Sequence, residues 1–189
     1  MTEQEIIRIF EESGALLTGH FQLRSGLHSN RFFQAALLLQ YPDKAETVCA
    51  FLAQKFAASC ATAVISPAVG GLIVGQEVAR ALRVRAIFAD KEEGQLVLKR
   101  GFAIRPGEKV LVAEDVVTKG GRVQQTIDLV RAHGGEVVGV AVLVDRSRGE
   151  ACFDVPRFES LIKLDLPTFE PAECPMCKAG AGIDRPGSK

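Results

Sequence analysis

Residues 110–122 read VLVAEDVVTKGGR. An apolar run delivers two adjacent acids, Glu114 and Asp115, at its carboxyl end, and the turn Thr118-Lys119-Gly120-Gly121 then opens onto a segment of helical spacing, 121–133. In an open α/β sheet, ligands bind at that edge of the strands. Such a turn can direct backbone N–H groups, and the positive end of a helix, at a phosphate. Glycines there let the backbone approach closely and adopt positive φ. Carboxylates accept hydrogen bonds from vicinal hydroxyls, so the acid pair suits a sugar. A polar exit from a buried strand into a helix is common in α/β domains, and acids near a helix start also favour its dipole. An acid pair followed by a short Gly-Gly loop is a tighter combination. It is neither GxxxxGK[ST] nor GxGxxG, which sets aside the nucleoside triphosphate and dinucleotide readings.

Outward from this segment the period alternates between strand and helix. Thr62–Ser66, Val84–Ala89, Lys109–Ala113 and Val137–Val144 are apolar strand-like runs, and Gly71–Leu82 and Gly121–His133 carry helical spacing. Alternation of this kind indicates βαβ units and a parallel sheet flanked by helices, an α/β fold. Upstream, 3–12 reads as an amphipathic helix ended by Gly14, and HFQLRSGLHSNRFFQAALLLQY, 20–41, as a strand pair turned at Ser25-Gly26 with the following apolar run as its second strand. Asp43 is placed to cap a helix running to about Ser59. Lys91–Pro106 mixes charged and apolar residues and reads as a loop or β-flap, and Ser160–Leu166 as a further strand. From Pro167 the chain is rich in Pro and Gly, which predicts a tail along the surface. A single domain is expected, with a core over about 43–150 and a small hood subdomain built from about 1–42 and 151–189.

Composition narrows the partners. The chain is 47% hydrophobic and 24% charged, with 23 basic and 23 acidic side chains. It carries no net field of the kind that nucleic-acid binding uses. No apolar run approaches the roughly 18 to 20 residues of a membrane-spanning helix, and the acidic start, MTEQEIIRIFEESG, lacks the pattern of a signal peptide. The five scattered cysteines do not form a disulfide framework, which points to the cytoplasm, and Cys49 and Cys60 read as buried thiols.

VLVAEDVVTKGGR resembles the phosphoribosyl pyrophosphate signature of the type I phosphoribosyltransferases. The resemblance implies that Glu114 and Asp115 hold the ribose hydroxyls and that Val116, Val117, Thr118, Lys119, Gly120, Gly121 and Arg122 form the 5′-phosphate loop. Lys119 and Arg122 stand where the family more often has small or hydroxylated residues. SPAVGG, 66–71, resembles the family's pyrophosphate loop, with Val69 and Gly70 at its ligand positions. Within the family, FQLRSGLHSNRFFQ, 21–34, is similar to the N-terminal stretch of the orotate enzymes. It implies Arg24 near phosphoribosyl pyrophosphate and Phe32 and Phe33 beside the orotate ring, although two phenylalanines alone would read as core. Thr118 also lies on the orotate side by this resemblance. Asp145-Arg146 matches a strand-terminal pair in which the arginine, Arg146, takes the orotate carboxylate by a charge-assisted contact. Another type I enzyme, for xanthine or a different base, and a non-catalytic regulator binding phosphoribosyl pyrophosphate are the alternatives. The arginine and the FQLRSG stretch argue against the first. The lack of an added binding domain or basic face argues against the second.

FADKEEGQLVLKRG, 88–101, matches the family's mobile loop, which closes over the neighbouring subunit of a homodimer with shared active sites. Lys91 aligns with its catalytic lysine and joins Asp115 as a catalytic residue. Asp90 replaces the arginine that often precedes it, so Lys99 or Arg100 is a further cation to weigh. Displacing pyrophosphate from C1 builds opposite charges that cations and Mg²⁺ stabilise, and no nucleophilic side chain is required. Mg²⁺ is expected on diphosphate and ribose oxygens, with no protein cage. Cys174-Pro-Met-Cys177 has metal-ligand spacing, but a zinc site needs four ligands and only one CxxC is present. The expectation is therefore no protein-held metal and a pair of thiols in a docked tail.

Overall fold

The computed structural model describes residues 1–23 and 25–186. The chain divides into two compact units, one built on Leu39–Leu164 and the other on Thr2–Leu38 together with the chain from Asp165 onward. The larger unit thus continues past residue 150, because residues 158–163 supply an edge strand to its sheet.

In the smaller unit, α1 (Glu3–Glu12) begins with a capping box in which Thr2 and Glu5 bond each other's backbone N–H. It buries Ile6 and Phe10. Strands β1 (Leu16–Gln22) and β2 (His28–Phe33) pair antiparallel. β9 (Thr168–Phe169) adds to β2 and completes a three-stranded sheet. The apolar run after Gln34 is the short helix α2 (Ala35–Leu39) rather than a continued strand. The tail is more than a surface strap, since Cys174, at the start of α6 (Pro175–Lys178), is fully buried.

The larger unit holds six strands in the order β5-β4-β3-β6-β7-β8. Five of them run parallel: β3 (Ala63–Pro67) lies between β4 (Arg85–Glu92) and β6 (Lys109–Val117), followed by β7 (Glu136–Asp145) and β8 (Phe158–Lys163). Only β5 (Gln95–Leu98), the return arm of a hairpin, is antiparallel. Helices α3 (Pro42–Gln54) and α4 (Leu72–Leu82) pack on each other and on the sheet, and α5 (Gly121–Ala132) packs on β6 and β7. Ala63 and Ile65, Val110 and Val112, and Val140 and Val142 share one core cluster with Val123, Ile127 and Val130 of α5. Their two-residue spacing is that of one sheet face meeting a helix.

Two local expectations differ from the structure. Pro42, not Asp43, sets the start of α3: it occupies the first turn, where its missing N–H costs nothing, and Asp43 lies inside that turn. Because α3 ends at Gln54, Cys60 falls in the connection to β3, exposed and with φ of 56°, while Cys49 is buried on the helix. No described helix is long and apolar enough to cross a membrane.

Candidate active site

Strand β3 sends the chain to β4 on one side, whereas β6 lies on its other side. The strand order therefore reverses between β3 and β6, and a crevice opens at their carboxyl ends. The two loops singled out in the sequence, 66–71 and 114–122, leave from these two strands.

The acid pair stands within β6. Glu114 is only 1% exposed and its Oε1 accepts a hydrogen bond from the Asp115 N–H at 3.1 Å, while its buried Oε2 has no hydrogen-bond partner among the described residues. Asp115 Oδ1 accepts from the Val116 N–H at 2.8 Å. Burial first, and the neighbouring Asp115 charge second, push Glu114 up to about 9. One carboxyl is thus held in its neutral form beside a second acid, which is the usual response to two carboxyls sharing a buried position. Arg122, at the far end of the loop, acts on Glu114 in the opposite direction.

The 66–71 loop touches this pair closely. A Cβ placed on Gly70 would lie 2.9 Å from Asp115 Oδ2, and one on Gly71 would lie 2.9 Å from Glu114 Oε1. A side chain at either position would require the carboxylates to move. The Ala68–Val69 peptide is cis, and Val69 is 77% exposed. The loop's ends are tied by Ala68 N–H to Ala89 O at 2.8 Å and Gly71 N–H to Pro67 O at 3.3 Å. Among the described residues the Val69 and Gly70 N–H groups donate no hydrogen bond, which leaves them for a ligand.

Beyond the acids, residues 114–123 line a cavity of about 240 Å³. Gly120 caps α5 with φ of 76°, and no side chain bonds the first turn. A Cβ on Gly120 would also lie 2.9 Å from Phe153 Cζ. Gln124 N–H is the first to bond back, to Gly120 O at 2.9 Å, so the N–H groups before it are unsatisfied. Exposed Lys119 and Arg122 add positive charge to this uncapped helix start. The cavity is shaped for an anion.

Arg146 follows β7, where its N–H donates to Val117 O at 2.8 Å and so anchors it beside the exit of β6. Its Nε is buried without a partner, it forms no ion pair among the described residues, and burial lowers its pKa. A guanidinium stays charged under such a shift. Asp145 does not pair with it; its Oδ1 accepts from Ser147 N–H at 2.8 Å.

The 88–101 segment is a hairpin, β4–β5, turned at Glu93 and Gly94 with φ of 47° and 88°. Lys99 pairs with Glu92 at 2.8 Å, and Arg100 pairs with Asp90 at 3.2 Å while lying over the Phe88 ring. Lys91 is exposed and has no ion pair among the described residues. Of the three cations, it is the one left for a ligand.

The larger unit therefore brings together Val69, Gly70, Glu114, Asp115 and the loop from Val116 to Arg122, with Arg146 at the next strand. Arg24 lies outside the described residues. In the smaller unit, Phe33 is buried against Phe10 with ring centroids 5.4 Å apart, and Phe32 packs at 5.9 Å from Phe21. Adjacent residues of β2 face opposite sides of the sheet, so from this strand the two rings do not share one ligand face. Sequence reading missed His20 and His28 altogether. They are buried beside Cys174 and Cys177, and a CxxC together with two histidines on a predicted strand pair was the available signal.

The family model for the phosphoribosyl transferase domain matches residues 39–154. The chain is 51% identical, over all of its 189 residues and 99% of the relative, to an orotate phosphoribosyltransferase of Pelotomaculum thermopropionicum. Among solved structures, the orotate phosphoribosyltransferase of Aeropyrum pernix superimposes with a TM-score of 0.69 at 27% identity, covering 84% of this chain and 93% of that one. An adenine phosphoribosyltransferase of Rhodothermus marinus reaches 0.66 at 24% identity, covering 86% and 100%. Backbone likeness thus does not select a base, whereas full-length identity does select a branch. The chain belongs to the phosphoribosyl transferase family, within its orotate phosphoribosyltransferases.

Proposed function

We propose that the chain transfers the ribose 5-phosphate group of phosphoribosyl pyrophosphate to orotate, forming orotidine 5′-monophosphate and pyrophosphate in pyrimidine (UMP) biosynthesis. Orotate N1 attacks C1 of the ribose as the bond from C1 to the pyrophosphate oxygen breaks; the electron pair leaves with pyrophosphate, and the N1 proton is released to pyrophosphate or solvent. The 5′-phosphate takes the uncapped N–H groups of the 118–123 loop, and the ribose hydroxyls face Glu114 and Asp115. Diphosphate oxygens take the free Val69 and Gly70 N–H groups. Fixing both reactants in this way removes much of the entropic barrier, and cations offset the charge that develops on the leaving group.

The acid pair fits Mg²⁺ through the substrate: the neutral, buried Glu114 is a poor ligand for a hard cation, so the ion would sit on diphosphate and ribose oxygens, with the half-buried Asp115 the acid able to support it. When bound, the ion would neutralise diphosphate charge. Lys91 supplies further positive charge from the hairpin. We assign it to the site of a second subunit in a homodimer, consistent with the apolar surface that exposed Val69 and Ile73 present. The reading places the enzyme in the cytoplasm.

The observation that carries orotate over other bases is Arg146, a half-buried arginine at the carboxyl edge of the sheet whose buried Nε has no hydrogen-bond partner among the described residues. Arg146→Ala is expected to weaken orotate binding by roughly 1.5–3 kcal/mol, the range for a charge-assisted hydrogen bond. Binding of phosphoribosyl pyrophosphate should stay within about twofold, since the variant leaves the phosphate loop intact. Calorimetric titration of both ligands checks the split. Equal loss for the two would assign Arg146 a structural role and remove the ground for choosing orotate.

A further inference from the structure

In the smaller unit, four potential ligand atoms converge from opposite ends of the chain. His20 lies on β1, His28 opens β2, Cys174 precedes α6 and Cys177 sits one turn later. His20 Nε2 is 3.0 Å from His28 Nδ1, 3.5 Å from Cys174 Sγ and 3.6 Å from Cys177 Sγ. Cys177 Sγ is 3.3 Å from His28 Nδ1, and all four atoms lie within 4.8 Å of one another. We infer that His20, His28, Cys174 and Cys177 form a structural zinc site that ties the tail to the β1–β2 hairpin.

Three features point to a metal rather than to packing alone. The spacing is near that of a zinc site: bonds of about 2.0–2.1 Å to nitrogen and 2.3 Å to sulfur in a tetrahedron separate the ligand atoms by roughly 3.3–3.8 Å, and the four separations given above run from 3.0 to 3.6 Å. The second shell fits: His20 Nδ1 lies 3.0 Å from Ala181 O, so its proton goes to that carbonyl and Nε2 keeps its lone pair for the centre of the cluster. The burial fits: His20, His28 and Cys174 are buried, and two thiolates would cancel the charge of a divalent ion there. A Cys₂His₂ set with every ligand from the chain leaves no open position, which makes the site structural rather than catalytic. Soft sulfur donors also exclude Mg²⁺ as its occupant.

The ligands on the strands are separated from those in the tail by about 150 residues, 154 for His20 and Cys174 and 149 for His28 and Cys177. One ion would thus close a small unit assembled from both termini. The tail already meets β1 through Gln22 N–H to Asp184 O at 2.9 Å and Asp184 N–H to His20 O at 2.8 Å. Zinc adds a cross-link to a unit of modest size, a common device in small folds. This inference does not rest on the proposed reaction, and its test reads metal and stability instead of turnover.

The full-length chain, purified without chelator from zinc-supplemented cells, should carry one zinc ion by elemental mass spectrometry. Cys177→Ser and His28→Asn should each lower that content at least tenfold, while Cys60→Ser, an exposed thiol outside the cluster, leaves it unchanged. Cys177 is itself exposed, so its serine variant is expected to fold. After removal of zinc, Co²⁺ should bind at one equivalent with visible bands of a tetrahedral ion and thiolate charge-transfer bands that Cys177→Ser diminishes. Chelation should lower the melting temperature of the wild type and leave Cys177→Ser unmoved, because only the first loses a ligand bound to the folded state. A zinc-free chain whose melting ignores added zinc would overturn the inference. So would metal content indifferent to both variants, or a Cys174–Cys177 disulfide in the protein as purified.

Discussion

At the scale of single residues, Glu114 shows how burial sets chemistry. Its carboxyl keeps a proton up to about pH 9 in the ligand-free fold, chiefly because water is excluded and also because Asp115 is adjacent. Between the ordinary carboxylate value of 4.5 and about 9, the folded chain holds a proton that the unfolded chain has released. Stability attributable to this group is therefore full below pH 4.5 and falls as pH rises through that window. Glu114→Gln removes the loss. The ligand-free variant is expected to melt above the wild type at pH 8, by at least about 3 °C, the shift that roughly 1 kcal/mol gives in a chain of this size. The difference should shrink toward pH 4.5. Melting curves across pH check this, and a gap that is constant or reversed would contradict the assigned environment. Activity should fall in the same variant, because the amide offers the ribose fewer acceptors.

At the scale of elements, the hairpin β4–β5 separates three cations that the sequence leaves equivalent. Lys99 and Arg100 are held by Glu92 and Asp90 on exposed surface, where such pairs contribute little to stability. Lys91 alone among them has no such partner. Lys91→Ala is expected to lower kcat at least about tenfold, as loss of transition-state charge stabilisation does. Lys99→Ala should change kcat by less than about threefold, since it removes only a surface pair. Steady-state kinetics of both variants test the assignment, and a larger effect from Lys99 would transfer the role. Elements with strong periodicity, such as α5 and the buried strands, are legible in the sequence. Ala35–Leu39 is not, because AALLL is apolar at every position and carries no period to tell helix from strand. The extension of β6 through Glu114 and Asp115 to Val117 was also hidden, since polar residues at a strand end look like the start of a loop.

At the scale of the molecule, the phosphate loop was readable because its residues are contiguous: acids, turn and helix start lie within thirteen positions, 110–122. What needed the fold were contacts between distant segments. Gly70 against Asp115, Phe153 against Gly120, and His20 against Cys174 each join residues whose proximity no local pattern records. The fold does not choose the substrate, as orotate and adenine enzymes superimpose on this chain about equally well. That choice rests on the site, and turnover tests it most directly. The purified protein should be incubated with phosphoribosyl pyrophosphate, Mg²⁺ and, in separate reactions, orotate, uracil, hypoxanthine, xanthine and adenine, with nucleotide and pyrophosphate both quantified. The account predicts orotidine 5′-monophosphate and pyrophosphate in equal amounts from orotate, little product from the other bases, and loss of turnover on chelation that excess Mg²⁺ restores. Uracil or a purine consumed as readily as orotate, or no nucleotide formed from any base, would contradict it.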